Sequence, residues 1–216
     1  MTPTTIIAID GPAAAGKGTL ARRLATELGF DYLDTGLIYR AVGMMVARRG
    51  LDPADAELAE PAARALSPAD LAATDLRGDA AAQAASKVAA IPGVRAALLA
   101  FQRAFAATPP GGRGAVLDGR DIGTVVCPQA TIKLFVTASL EKRAERRLKE
   151  LRASGSDVIQ ETVLAEMRER DARDQNRAVA PLVAADDAYV LDTTPLDADQ
   201  AFATALGLVR SRMPVA

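Results

Sequence analysis

Residues 5–24 read TIIAIDGPAAAGKGTLARRL, and this stretch decides how the rest of the chain is understood. Thr5–Asp10 is a short β-branched run that stops where glycine begins, the pattern of a buried strand. Leu20, Leu24 and Leu28 then recur at helical spacing, and Gly29 stands where a C-terminal cap belongs. Between the two elements, Gly11-Pro12-Ala13-Ala14-Ala15-Gly16-Lys17 matches G-x-x-x-x-G-K. In such a loop, backbone N–H groups and a helix N-terminus cradle phosphates while the lysine reaches the terminal oxygens. A plain glycine turn is the competing reading, and the flanking strand, helix and lysine weigh against it. The strict motif places Ser or Thr directly after the lysine, whereas this chain has Gly18 there and Thr19 one position later. A loop hydroxyl is therefore a weaker metal ligand here, which leaves a metal to phosphate oxygens and water.

Further along, FDYLDTG (30–36) predicts a second short strand and a turn, followed by a helix with Ile38, Val42 and Met45 on one face. Residues 50–79 contain three prolines and little periodicity and read as an inserted, loosely defined lobe. A helical pair, 80–90 and 94–107, is expected to break at Pro92–Gly93, with Val94, Leu98, Phe101 and Phe105 as the apolar stripe of its second member. TPPGGRG (108–114) is a loop by composition, and AVLD (115–118), IKLFVTA (132–138) and AYVLDT (188–193) are strand candidates. Between the last two lie a helix with Leu140, Ala144, Leu148 and Leu151 inward, a break at Ser154–Gly155, and the charged run MRERDARDQNR. Five short strands separated by helices indicate an α/β fold, a parallel sheet covered on both faces, because parallel neighbours need long crossovers.

Composition narrows the function classes. The 26 basic and 27 acidic residues nearly cancel, so there is no global field for a nucleic-acid polymer, and any polyanion must be bound locally. One cysteine, Cys127, excludes an internal disulfide, and the absence of histidine leaves any zinc site mostly to carboxylates. The N-terminal segment has neither a basic region nor a long apolar run, so a cytoplasmic location without membrane attachment is expected.

Outside the loop, positive charge is dispersed: Arg40 after DTGLIY, Arg120 in DGRD, and Arg170, Arg173 and Arg177 in the charged run. On a helix over 166–177, Arg170, Arg173, Asp174 and Arg177 share one face. Taken alone, that run is a solvated helix laced by ion pairs. Beside a phosphate loop, its guanidinium forks suit a second phosphoryl group and the charge of a transition state. DGRD ends a strand, and in open parallel sheets ligands sit beyond the carboxyl ends of strands, facing the same crevice as the loop. The lack of histidine also fits a phosphate acceptor, which is largely ionised at neutral pH and needs positioning more than a base.

GPAAAGKGT, LDTGLIYR, AASKVAAIPGVRAALLAFQRAF, LDGRDIGTVV, RERDARDQNRAVAPL and VLDTT, in this order, resemble the bacterial cytidylate kinases among the nucleoside monophosphate kinases. The resemblance implies a P-loop NTPase-type three-layer fold with a five-stranded parallel sheet, an inserted NMP-binding lobe and a helical lid. One kinase domain over 1–216 is expected, with the core near 1–40, 86–140 and 178–216, the lobe near 41–85 and the lid near 141–177. Its implied reaction is transfer of the γ-phosphoryl group of ATP, with Mg2+, to CMP or dCMP, by a monomer.

By the same resemblance, residues 11–19 take the ATP phosphates, and Lys17, Arg120, Arg170 and Arg177 are the catalytic set. Ser86, Arg95 and Asp121 contact cytosine, Arg40, Arg120 and Arg177 hold the monophosphate, and Arg170 and Asp174 contact the sugar. Thr35 stands where the family often has serine. The strand-rich stretch typical of the family's inserted lobe is missing from residues 66–82, so the lobe is expected to be abbreviated or differently folded. Rival readings are a P-loop kinase for AMP, UMP or a small hydroxyl substrate, and a GTP switch. The switch reading lacks the guanine-reading N-K-x-D pattern.

Overall fold

The computed structural model describes residues 4–67, 69–153 and 155–213. Among these, the chain forms five strands: β1 (Thr5–Asp10), β2 (Asp31–Asp34), β3 (Gly114–Asp118), β4 (Ile132–Thr137) and β5 (Tyr189–Asp192). All are parallel, in the order β2-β3-β1-β4-β5. The chain leaves β1 toward the β2 edge and leaves β3 toward β4 on the far side of β1. Neighbouring strands are thus followed by connections in opposite directions, which opens a crevice at their carboxyl ends. In register, Ile9 stands opposite Asp118, and Asp118 opposite Asp34.

Alternation along β1 builds the three layers. Ile7 and Ile9 pack with Leu20, Ala21 and Leu24 of α1 (Lys17–Leu28) and with Ala205 and Val209 of α8 (Ala198–Arg210). Ala8 points the other way, toward Leu117, Ile122, Val126 and Ala106 of α5 (Pro92–Ala107). Helix α1 ends at Gly29 in the left-handed conformation expected of a cap.

Two further clusters lie beyond the sheet. In the first, Ile38, Val42 and Val46 of α2 (Thr35–Ala47) pack with Ala59 and Ala63 of α3 (Ala56–Ala65), Ala85 and Val88 of α4 (Asp79–Val88), and Val94 and Leu98 of α5. Helices α2 and α4 approach closely at Gly43, where an added Cβ would lie 2.8 Å from the Ala84 carbonyl carbon. The second joins Ala144, Leu148 and Leu151 of α6 (Leu140–Ala153) to Val163 and Met167 of α7 (Gln160–Gln175), with Ala14 of the glycine loop packed against it.

Several expectations need correction. Residues 50–79 are not loose: α3 and two 3₁₀ turns, Asp70–Ala72 and Thr74–Arg77, occupy much of the segment. Pro61 sits inside α3, tolerated because Ala59 and Ala63, one turn apart, are buried against the neighbouring helices. No strand forms among the described residues of this segment. Pro92 does not end a helix but begins α5, where its absent N–H costs nothing, and α4 and α5 meet at a bend of 102°. On α5, Phe101 is 49 % exposed, while Arg95 and Gln102 are buried with Val94 and Leu98. Met45 is only half-buried, its place taken by Val46. Helix α7 ends at Gln175, so Arg177 follows it rather than lying on it. In the expected 154–155 break, Ser154 lies outside the described residues and Gly155 has φ +85°.

Candidate active site

Each neighbouring strand delivers a carboxylate to the crevice: β1 ends at Asp10, β3 at Asp118 and β2 at Asp34. The glycine loop leaves Asp10 through Gly11, whose φ is +143° and whose absent Cβ would lie 1.9 Å from the Val136 carbonyl oxygen on β4. Only glycine fits there. Gly16 at φ +92° opens α1, so the loop's amides and the helix N-terminus point the same way. Lys17 is buried and its ammonium donates to the Pro12 carbonyl at 2.7 Å, across the loop. Burial holds Lys17 well below its ordinary pKa, aided by the positive charges of Arg120 and Arg170 and opposed by Asp118. Such a lysine gains most when an anion arrives. Asp118 reaches the loop from β3: a Cβ at Gly18 would stand 3.5 Å from its Oδ2. Burial, with Asp34 beside it, pushes Asp118 up to about 6.

A cleft of about 520 Å3 runs from this loop to α4 and α7. Ala13, Ala14, Gly16, Lys17, Gly18 and Thr19 line its donor end. Gly11, Pro12 and Ala15 are buried beneath that surface, where the Ala15 carbonyl accepts from Thr193 at 3.1 Å. All nine acceptor-side residues expected from sequence, Thr35, Arg40, Ser86, Arg95, Arg120, Asp121, Arg170, Asp174 and Arg177, line the same cleft. Arg173 does not, because it lies one position short of Asp174 around α7 and turns aside.

Asp174 is the hub of the acceptor side. Its Oδ2 accepts from Arg120 Nε at 3.1 Å, and its Oδ1 from Arg177 and from the Ser86 hydroxyl, the latter at 3.1 Å. Burial works to raise this carboxyl, but Arg120, Arg177 and Arg170 overcome it and hold it down to about 2. Arg170, mainly through burial and with Arg120 adding to it, is lowered to about 10. The Nε donors of Arg170 and Arg177 are buried without a hydrogen-bond partner. Both arginines line the cleft, where guanidinium groups suit an incoming anion.

The rest of the wall is held from behind. Thr35 donates to the Asp118 carbonyl at 2.7 Å, so its hydroxyl ties α2 to β3. Arg40 lies 3.6 Å from Asp34, the N-cap of α2. Asp121 pairs with Arg95, whose other nitrogen donates to the Ala89 carbonyl at 3.3 Å. Burial raises Asp121, while Arg95 opposes that shift. Asp10 anchors the wide turn after Asp121, accepting from the Ile122 and Gly123 amides at 2.8 and 2.7 Å. Burial pushes Asp10 up to about 6.

Sequence reasoning missed Asp34, Tyr32, Tyr39 and Arg147, all of which line the cleft. Asp34 was legible as the second strand ending in Leu-Asp, in register with Asp118. Arg147 carries no signal within RAERRLKE. It acts by reaching from α6 to Asp79 at the start of α4, at 3.0 Å, across the cleft mouth.

A phosphate-binding loop at the carboxyl end of β1, facing a cluster of buried arginines across one cleft, defines a P-loop phosphotransferase with a phosphorylated acceptor. The family model described as cytidylate kinase matches residues 7–211. The chain belongs to the cytidylate kinase family, ATP-dependent nucleoside monophosphate kinases. It is 80 % identical to a cytidylate kinase of Paramagnetospirillum magneticum, over 97 % of this chain and 99 % of that one. It is 64 % identical to one of Rhodospirillum rubrum, over 94 % and 96 %. Among solved structures, an uncharacterized protein from Eubacterium ventriosum matches with a TM-score of 0.56 at 16 % identity, over 97 % of this chain and 99 % of that chain, which supports the fold alone. Among the described residues no single helix is long and apolar enough to cross a membrane.

Proposed function

We propose that this chain transfers the γ-phosphoryl group of ATP to the phosphate of CMP or dCMP, giving ADP and CDP or dCDP. The observation that carries the reading is the convergence of Arg120, Arg170 and Arg177 with Lys17 on the lining of one cleft. In this reading the ATP phosphates lie along residues 11–19. Arg40, Arg120 and Arg177 hold the acceptor phosphate, Arg170 and Asp174 the sugar, and Ser86, Arg95 and Asp121 the base. A carboxylate suits the cytosine amino group, and a guanidinium suits the ring's acceptor edge.

The acceptor phosphate has a second pKa of about 6 and brings its own ionised oxygen, so no protein base is needed. That oxygen attacks the γ-phosphorus, the bond to the β-phosphate oxygen breaks, and ADP leaves with the electron pair. The protein contributes position and charge: Lys17, Arg120, Arg170 and Arg177 surround the transferring group as its charge spreads over oxygens. Ala14 of the loop packs against the cluster formed by helices α6 and α7, which ties those helices to the phosphate end of the cleft.

The residues beside the loop fit a divalent cation such as Mg2+. Asp34 and Asp118 stand side by side at the strand ends beside the loop, and carboxylate oxygens together with phosphate oxygens and water are ligands that Mg2+ takes. Asp118, with Asp34 next to it, would hold the ion, which would supply neutralisation of phosphate charge when bound.

The test is ADP formation from ATP with Mg2+, with CMP, dCMP, UMP, AMP and shikimate offered separately. Turnover with CMP and dCMP alone is expected. Turnover confined to another acceptor would overturn the reading.

A further inference from the structure

Helix α5 buries two polar side chains where its apolar stripe should run: Arg95, 8 % exposed, and Gln102, 2 % exposed. They are seven residues apart and therefore on one face. Arg95 is accounted for by Asp121. Gln102 lies too deep to line the cleft, and a buried amide in place of an apolar side chain carries a desolvation cost unless its hydrogen bonds are used. Its Nε2 donates to the Leu98 carbonyl at 3.1 Å, within α5 itself.

Tyr39 belongs to α2, is 8 % exposed, and forms part of the cleft wall. The guanidinium carbon of Arg95 lies 5.7 Å from the centre of its ring. Three constraints therefore converge on Arg95: the Asp121 carboxylate, the Ala89 carbonyl and the Tyr39 ring. The first two hold only the edge of the guanidinium. Without a surface beside it, the fork is free to swing about that edge and close fully on Asp121. That collapse would use the acceptor atoms Asp121 needs for an amino group.

We infer that Tyr39 is a positioning residue that holds Arg95 so that the Arg95–Asp121 pair can discriminate a cytosine-type base from a uracil-type base. The inference rests on the proposed placement of the base at Arg95 and Asp121. Tyr39 acts through Arg95, and the chain Tyr39–Arg95–Asp121 links α2 and α5 to the turn after β3, elements far apart in sequence.

Steady-state kinetics of wild type, Tyr39→Phe and Tyr39→Leu test it, with CMP, UMP and ATP each varied and thermal unfolding run alongside. Tyr39→Leu removes the ring beside a buried guanidinium and should raise KM for CMP about tenfold, with kcat and KM for ATP nearly unchanged. The ratio of CMP to UMP efficiency should fall by a similar factor. Tyr39→Phe keeps the ring, so its KM for CMP and its CMP/UMP ratio should stay within about twofold of wild type.

An unchanged KM for CMP and unchanged CMP/UMP ratio in Tyr39→Leu would overturn the inference, as would equal losses toward CMP and ATP. If Tyr39→Leu fails to fold, a folded Tyr39→Phe variant that loses CMP/UMP selectivity overturns it equally, because that variant keeps the ring. Wild type that leaves CMP untouched overturns the acceptor reading and the inference with it. CMP-active wild type with an unmoved ratio in Tyr39→Leu overturns only the inference.

Discussion

The two ends of the cleft are built by opposite means. At the proposed donor end, one contiguous loop, residues 11–19, presents backbone geometry suited to phosphates, with Lys17 as its charged side chain. At the acceptor end, side chains from α2, α4, α5, α7 and the turn after β3 converge on Asp174 and Asp121. The electrostatics differ likewise. The donor end holds groups pushed toward their neutral forms, Lys17 downward and Asp118 upward, chiefly by burial. At the acceptor end three arginines hold the buried Asp174 firmly ionised. The donor end thus waits for its counter-charge to come with the nucleotide, whereas much of the acceptor end's charge is already paired within the protein.

The contrast separates activity from stability, and Lys17→Ala should show it most strongly. It removes the loop's charge but leaves the backbone cradle, so kcat should fall by about 10²–10³-fold. The melting temperature should stay close to wild type. A variant with near-normal kcat would contradict the donor assignment.

Asp174→Ala should break the other end through stability as well as activity. Removing the carboxylate strands Arg120 and Arg177 without their shared partner, a cost of about 3 kcal/mol. At this chain length that corresponds to a drop of roughly 6–12 °C in melting temperature. Loss of CMP turnover with unchanged unfolding would refute the hub role of Asp174.

The opposite shifts predict opposite pH dependences in urea unfolding. Asp174 titrates near 2 when folded and near 3.8 when unfolded. Its contribution, about 2 kcal/mol, is present above the unfolded value and lost as pH falls through the folded one. Asp118 is raised to about 6, so the folded state binds the extra proton and stability declines as pH rises from about 4 to about 6. Asp118→Asn should lessen that decline, to which Asp10, also raised to about 6, still contributes, and leave the acid limb in place. An unchanged profile between pH 4 and 6 would contradict the buried-carboxyl account.

The smallest effect should come from Arg147→Ala. Its pair with Asp79 bridges α6 and α4 across the cleft mouth, but Asp79 is partly solvated. The loss should stay below about 1 kcal/mol, seen as KM changes of a few-fold at most. A hundredfold fall in kcat would instead place Arg147 on the reacting phosphates.

Particular residues show how far sequence reading reached. Lys17 and its glycines were legible because the motif is contiguous and flanked by a strand and a helix. Asp174 was legible as a residue but not as a hub, since its partners Ser86, Arg120 and Arg177 come from three separate segments. The α5 stripe was misread at Phe101 because Arg95 and Gln102 occupy inward positions that periodicity assigns to apolar side chains. Pro61 concealed α3, because local propensity argues against a helix that packing with α2 and α5 sustains.

The sequence by itself determined the donor loop, the parallel sheet and the identity of the charged residues, since each is encoded in short stretches with a period or fixed spacing. Tertiary structure alone decided the helical build of residues 50–79, the placement of Arg95 between Asp121 and the Tyr39 ring, and the coupling of Arg147 to Asp79. Those features depend on side chains far apart in sequence meeting in low-dielectric surroundings, where packing and desolvation outweigh local preference.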